Sequence, residues 1–224
     1  MRLKSEIHGV NAHRSGSKAM NAYDVTTITV RPGTHPAALS RLGHALKELI
    51  DNGELLACWY SDLGAINQIL LIRAHRSEAA LVEQRATMLQ SRSPFGIGDL
   101  ITGTTMETYV SFPFIAPMAS GQYGPFYEVR TYMLKPDGLA PTIELWRGAA
   151  PGRAKLSPVL AAMYCVAGPA FRFMHVWPYA SLDERQRLRA KAVAEGVWPP
   201  RGGPDHVVLQ QVDIFLPADF SPMR

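Results

Sequence analysis

The chain has 224 residues, of which 47% are apolar and 19% charged, and a formal net charge of +4. That composition suits one large or two small globular domains and excludes disordered, collagen-like and coiled-coil chains; two cysteines exclude a disulfide scaffold. The basic excess sits mainly in Arg2, Lys4, Arg14 and Lys18, and no Lys/Arg run interleaves with aromatics, so no nucleic-acid partner is expected.

Residues 1–20 lack apolar periodicity and read as a disordered or non-native N-terminal tail. An organelle-targeting peptide is the alternative, because the stretch is basic and nearly acid-free. No secretory signal core and no membrane span is found, which points to a soluble cytoplasmic protein with Cys58 and Cys165 reduced and buried. Residues 23–30 (YDVTTITV) alternate as a strand, and Pro32-Gly33 turns the chain. Leu39, Leu42, Leu46, Leu49 and Ile50 predict a helix over 36–50, stopped by Asp51-Asn52-Gly53. Residues 54–60 and 67–74 read as strands around a loop containing Gly64, Ser77 caps a helix running to about Gln90, and 104–112 is the last strand of this half.

The same order then recurs at an offset of 104 residues. Tyr23-Asp24-Val25 aligns with Tyr127-Glu128-Val129, Gly64 with Gly168, Ser77 with Ser181 and Arg85-Ala86 with Arg189-Ala190. The copies span 21–114 and 126–224, joined by a linker at 115–125 (IAPMASGQYGP). In the second copy the predicted elements are 126–134, 141–150, 159–166, 170–177, 182–194 and 206–216. Ser181 and Glu184 form a capping box, and Ala150-Pro151-Gly152 is expected to end the first helix early. The order βαββαβ is the ferredoxin-like plan, with helices on one face of a four-stranded sheet. The fold predicted is therefore α+β, two tandem ferredoxin-like βαββαβ repeats pressing their open faces together as a dimeric α+β barrel within one chain.

The segment from Phe126 to Tyr132 (FYEVRTY) resembles the first strand of NIPSNAP proteins, Trp59 to Asn67 (WYSDLGAIN) resembles their hairpin loop, and Met174 to Arg185 (MHVWPYASLDER), followed by Arg189 and Trp198-Pro199-Pro200, is the fullest match. The resemblance covers nearly everything after Met20. It implies the dimeric α+β barrel, in a superfamily that includes cofactor-free monooxygenases, isomerases and haem-dependent members. It supplies no settled catalytic residues. Eukaryotic NIPSNAP proteins are linked to mitochondria and vesicle traffic. That role is not carried across, because 17 Arg against 6 Lys looks bacterial.

Strand alternation places Tyr127, Val129, Thr131 and Met133 on one face and Glu128, Arg130, Tyr132 and Leu134 on the other, with Phe173, His175 and Trp177 together on a later strand. If the polar faces point into the barrel, Glu128, Arg130, Tyr132, His175 and Trp177 line one cavity suited to a small, partly aromatic, anionic ligand. Glu128 or His175 would serve there as a base and Arg130 as an anion holder. The alternative is a structural Glu128–Arg130 ion pair among core aromatics. Asp62 and Asn67, flanking Gly64, are a second candidate group, against a plain hairpin loop. The basic helix with Arg185, Arg187, Arg189 and Lys191 reads as a solvated face, with Asp183 pairing to Arg187. No CxxC, HxxxH, HExxH, Walker A or G-x-S-x-G motif is present, so neither a metal nor a cofactor is expected. The functional expectation is small-molecule binding or an interaction module, with self-association; a cofactor-independent monooxygenase or isomerase and a purely structural oligomer are the alternatives.

Overall fold

Among the described residues eight strands and four α-helices follow in the order β1 (Ala22–Val30), α1 (His35–Glu48), β2 (Gly53–Leu63), β3 (Gln68–His75), α2 (Glu78–Gln90), β4 (Ile101–Ser111), β5 (Phe126–Leu134), α3 (Leu139–Ala154), β6 (Ala161–Ala167), β7 (Arg172–Tyr179), α4 (Leu182–Ala194) and β8 (Val207–Pro217). The computed structural model describes residues 22–48, 53–75 and 77–224; the tail at 1–20 and the helix stop at Asp51-Asn52 lie outside them. Ser77 Oγ accepts from the Ala80 N–H and Ser181 Oγ from the Glu184 N–H, at equivalent helix starts. The Glu184 carboxylate reaches back to the N–H of Ala180, one residue before the cap.

Helix α3 departs from expectation. It runs through Pro151 to Ala154, although proline removes one N–H and crowds the preceding turn. Tertiary packing carries it across: Trp146, Ala150 and Arg153 are buried, and Arg153 donates to Ser157 Oγ at 2.6 Å and to Tyr179 Oη at 3.3 Å.

All strands pair antiparallel. The first half has the order β4-β1-β3-β2 and the second β8-β5-β7-β6, and the edges meet as β2·β8 and β4·β6 to close an eight-stranded barrel. Both seams are short. Strand β2 pairs with β8 only from Trp59 opposite Pro217 to Leu63 opposite Ile214, and β4 with β6 only from Thr108 opposite Ala167 to Ser111 opposite Met163. Inside the barrel one end is filled by an apolar cluster including Tyr23, Trp59, Tyr109, Tyr127, Val129, Met163, Val176 and Phe215. Trp59 and Tyr127 stack there with ring centroids 4.1 Å apart. The C-terminal residues and the 115–125 segment cover that end: Trp59 Nε1 donates to the Met223 carbonyl at 2.9 Å, and the Tyr123 N–H to the Arg224 carbonyl at 2.7 Å. Two further clusters fill the space between sheet and helices, one per half.

Residues 104 apart share backbone geometry even where their identity differs. Asn67 and Phe171 both lie in the left-handed region, at φ 60° and 59°. Their carbonyls accept from the N–H groups of Val30 and Leu134, themselves 104 apart. Gly64 and Gly168 both have positive φ, and each presses on a carboxylate side chain of the other half's last strand. A Cβ on Gly64 would lie 2.1 Å from Asp213 Oδ1, and one on Gly168 would lie 3.1 Å from Glu107 Cγ. The hairpin glycine is thus a seam residue.

Gly64→Ala is therefore expected to cost about 2–4 kcal/mol through strained backbone and a forced shift of Asp213. Gly148→Ala, whose Cβ meets nothing within 4 Å in α3, should stabilise by about 0.5–1 kcal/mol. Urea unfolding midpoints of the two variants check both signs.

Candidate functional site

Closure decides which face of each strand looks inward. Tyr127 and Val129 join the barrel interior, so Glu128, Arg130, Tyr132, His175 and Trp177 lie on the outer face, beneath the second-half helices. The expectation that the polar face points into the barrel is reversed. The physical reason is that Tyr127 and Val129 pack into the apolar cluster inside, while α4 brings the countercharge that lets Glu128 be buried outside.

Glu128 is fully buried. Arg185 Nε donates to its Oε2 at 2.9 Å and Arg185 Nη2 to its Oε1 at 3.1 Å; Arg189 Nη1 and Arg130 Nη1 approach Oε1 at 3.4 and 3.3 Å. Three guanidinium groups share one carboxylate, so Arg185 and Arg189 are not the solvated face their sequence suggests. Among the described residues Arg187 forms no ion pair with Asp183; the charge pair along α4 is Lys191 with Glu195 at 3.7 Å. The first half repeats the clamp at the 104-residue offset. Asp24, also fully buried, is held by Arg85 at 2.5 Å and by Arg73, with His75 Nε2 at 3.8 Å. Burial pushes the Asp24 carboxyl up, but the His75 contact and the two arginines outweigh it and hold it well below the usual carboxylate range.

Beside the Glu128 clamp lies a cavity of about 300 Å³ between sheet, α3, α4 and the 198–207 loop. Arg130, Tyr132, His175 and Arg189 line it with Trp146, Phe173 and Trp198; Glu128 and Trp177 do not. The rings set its shape: Trp146 packs edge-on to Trp198 at 4.6 Å and to His175 at 4.9 Å, and Tyr132 to His175 at 5.0 Å. Arg130 Nε is buried without a partner, and its guanidinium carbon lies 5.5 Å from the Tyr132 ring centre. Burial shifts the Arg130 pKa down and the Tyr132 pKa up.

His175 is 1% exposed. Trp177 Nε1–H donates to its Nδ1 at 2.6 Å. Indole is a donor only, so Nδ1 is the unprotonated nitrogen and Nε2 carries the hydrogen. Nε2 is buried with no partner. Burial, then Arg130, Arg189 and Arg153, hold His175 well below its ordinary 6.5, so the ring is neutral. It presents a fixed N–H donor rather than a base. Glu128 does not line the cavity, and both of its oxygens are engaged by arginines.

The second candidate group does not join this site. Asp62 is exposed; Asn67 shapes the hairpin through its left-handed backbone; neither lines the cavity. Cys58 is buried and free, and Cys165 is half-buried and free. Among the described residues no group of three or more His, Cys, Asp or Glu could hold a metal ion. Sequence reasoning missed Arg189 and Trp146 as lining groups. For Arg189 a signal existed, since Arg85-Ala86 and Arg189-Ala190 align across the repeat. For Trp146 none did.

The family model NIPSNAP matches residues 23–93 and 127–222. A protein NipSnap homolog of Dictyostelium discoideum is 26% identical over 203 residues, covering 88% of this chain and 86% of that protein. The protein NipSnap of Drosophila melanogaster is 22% identical over 183 residues, covering 76% of this chain and 65% of its own length. The crystal structure of a putative monooxygenase from Lactobacillus acidophilus NCFM superposes with a TM-score of 0.62 at 8% identity, over 88% of this chain and 93% of that one, which shows the shared fold.

Glu128→Gln leaves three guanidinium groups around a neutral amide. It should cost about 2–4 kcal/mol, under the 3–5 of a wholly buried pair because water reaches Arg185 and Arg189. His175 contributes in the same pH sense as the clamped Asp24 carboxylate, since both folded pKa values are depressed, but over a higher pH window. Its folded pKa lies below its unfolded one, so its share of stability is present above about pH 6.5 and falls away as pH drops below that. His175→Phe should flatten the fall in unfolding midpoint between about pH 7 and pH 5, followed by thermal unfolding monitored by circular dichroism.

Proposed function

The chain belongs to the NIPSNAP family, and from that premise we propose that its second half is a small-molecule binding site for a planar aromatic anion. The observation that carries this reading is the pairing of an unpartnered, fixed His175 Nε2–H with two guanidinium groups around one aromatic-walled cavity. The surplus charge belongs to the clamp: Arg130, Arg185 and Arg189 share the single carboxylate of Glu128. A carboxylate-bearing ligand would meet that surplus at Arg130 Nε and Arg189. Its ring would lie against Trp146, Phe173 and Tyr132, where an aromatic pair contributes about 0.5–1.5 kcal/mol beyond burial. His175 Nε2–H would hold a second oxygen.

Binding is favoured over a cofactor-independent monooxygenase or isomerase because the pocket offers donors and cations but no free base. In this reading Glu128 is a positioning residue that keeps the arginines in place, and Trp177 is one that fixes the His175 tautomer. A cytoplasmic location and self-association belong to the proposal as well; among the described residues no helix is long and apolar enough to cross a membrane.

Benzoate and 4-hydroxybenzoate are the probes. Calorimetric titration should give binding to the wild-type chain, benzamide should bind at least tenfold more weakly, and Arg130→Gln should weaken benzoate at least tenfold. Affinity should be flat between about pH 6 and pH 8, because His175 stays neutral there. Equal binding of benzamide, or an Arg130→Gln protein that binds benzoate as the wild type does, would sink the anion-site reading.

A further inference from the structure

The barrel interior holds a second cavity, about 280 Å³, at the end opposite the apolar cluster. Its floor is Val25, Leu70, Val129, Met174 and Phe215, and its walls carry Thr27, Thr29, Thr131, Gln68 and Gln211. Two carboxylates reach it, Glu107 from β4 and Asp213 from β8, each against the hairpin glycine of the other half. Glu107 lies opposite Val25 and Asp213 opposite Val129, the residue 104 positions on, which makes them counterparts, and their surroundings differ. Glu107 is neutralised: Arg172 pairs with it, and Tyr109 Oη donates to its Oε2 at 2.6 Å. The residue 104 positions before Arg172 is Gln68. Among the described residues Asp213 accordingly accepts only from the Ala65 N–H and from Gln211 Nε2, both at 2.8 Å. It is 5% exposed and has no ion pair among the described residues.

A buried carboxylate without a cation is costly to keep, and this one faces a cavity that its counterpart's arginine would enter. We propose that the barrel lumen is a binding site for a small organic cation, a primary ammonium on a short alkyl or aryl body. The ammonium takes at Asp213 the place that Arg172 takes at Glu107. Threonine hydroxyls and the Gln68 carbonyl accept its remaining N–H groups, and the body lies on the apolar floor. This site differs in sign and location from the anion pocket outside the sheet, and it stands or falls separately.

The probes are benzylammonium and n-butylammonium, with benzyl alcohol as neutral isostere, titrated calorimetrically into the 224-residue chain. Wild type should bind benzylammonium with Kd below about 1 mM and benzyl alcohol at least tenfold more weakly. Asp213→Asn should lose at least tenfold. So should Gln68→Arg, which installs the missing counter-ion and should match or exceed the wild-type unfolding midpoint; it decides the matter alone if Asp213→Asn does not fold. Arg130→Gln, in the outer pocket, should leave benzylammonium binding unchanged. The proposal is overturned by absence of ammonium binding at about 10 mM, by benzyl alcohol binding equally, or by a folded Gln68→Arg protein that binds as the wild type does.

Discussion

Everything in this molecule depends on two short seams. Strands β2, β4, β6 and β8 would each be an exposed sheet edge in an isolated half, with unpaired N–H and C=O groups open to association. They pair with one another instead, and the sheet closes without an end. Only a few residues make each seam, so its local geometry is tight. Gly64 and Gly168 stand where any side chain would run into the neighbouring strand's acid. Closure also assigns direction: Tyr127 and Val129 turn in, and Glu128 and Arg130 turn out.

The two halves bury a charge by the same means and then diverge. Asp24 with Arg85 and Glu128 with Arg189 each fasten the first strand of a half to its second helix. Around the first clamp the neighbouring positions are Thr26, Ile28, Leu42 and Leu71, and Phe95, Ile97 and Leu100 complete an apolar fill. Around the second, the equivalent positions are Arg130, Tyr132, Trp146 and His175, and a cavity remains. At this equivalent place the first half is packed and the second is open. The first half is an internal control for the second: where Leu71 needs only apolar neighbours, His175 needs a donor on Nδ1 and leaves an N–H to be met.

Charge separates the two cavities. Outside the sheet three guanidinium groups surround one carboxylate; inside the barrel two carboxylates face one guanidinium. Both imbalances sit in poorly solvated places, where an unmatched charge acts more strongly than at a surface. The strand walls keep them apart, because successive side chains on β5 and β7 point to opposite sides.

The sequence by itself determined the elements and their repetition. Period-two alternation in YDVTTITV and FYEVRTY, leucines at helical spacing in α1, Ser77 and Ser181 as caps and the 104-residue offset are local signals, and the structure carries each of them. The resemblance to NIPSNAP proteins was legible for the same reason, since it rests on contiguous motifs. What the sequence could group but not orient was the site. Alternation put Glu128, Arg130 and Tyr132 on one face without saying which face is inside, because that depends on pairing between strands far apart in the chain. Nor could spacing reveal that Arg189 turns inward, that Trp146 walls the cavity, that Pro151 is tolerated within α3, or that Asp213 meets Gln68's side of the lumen where Glu107 meets Arg172. Those follow from burial and from countercharges brought together across the seams, and only the closed barrel supplies them.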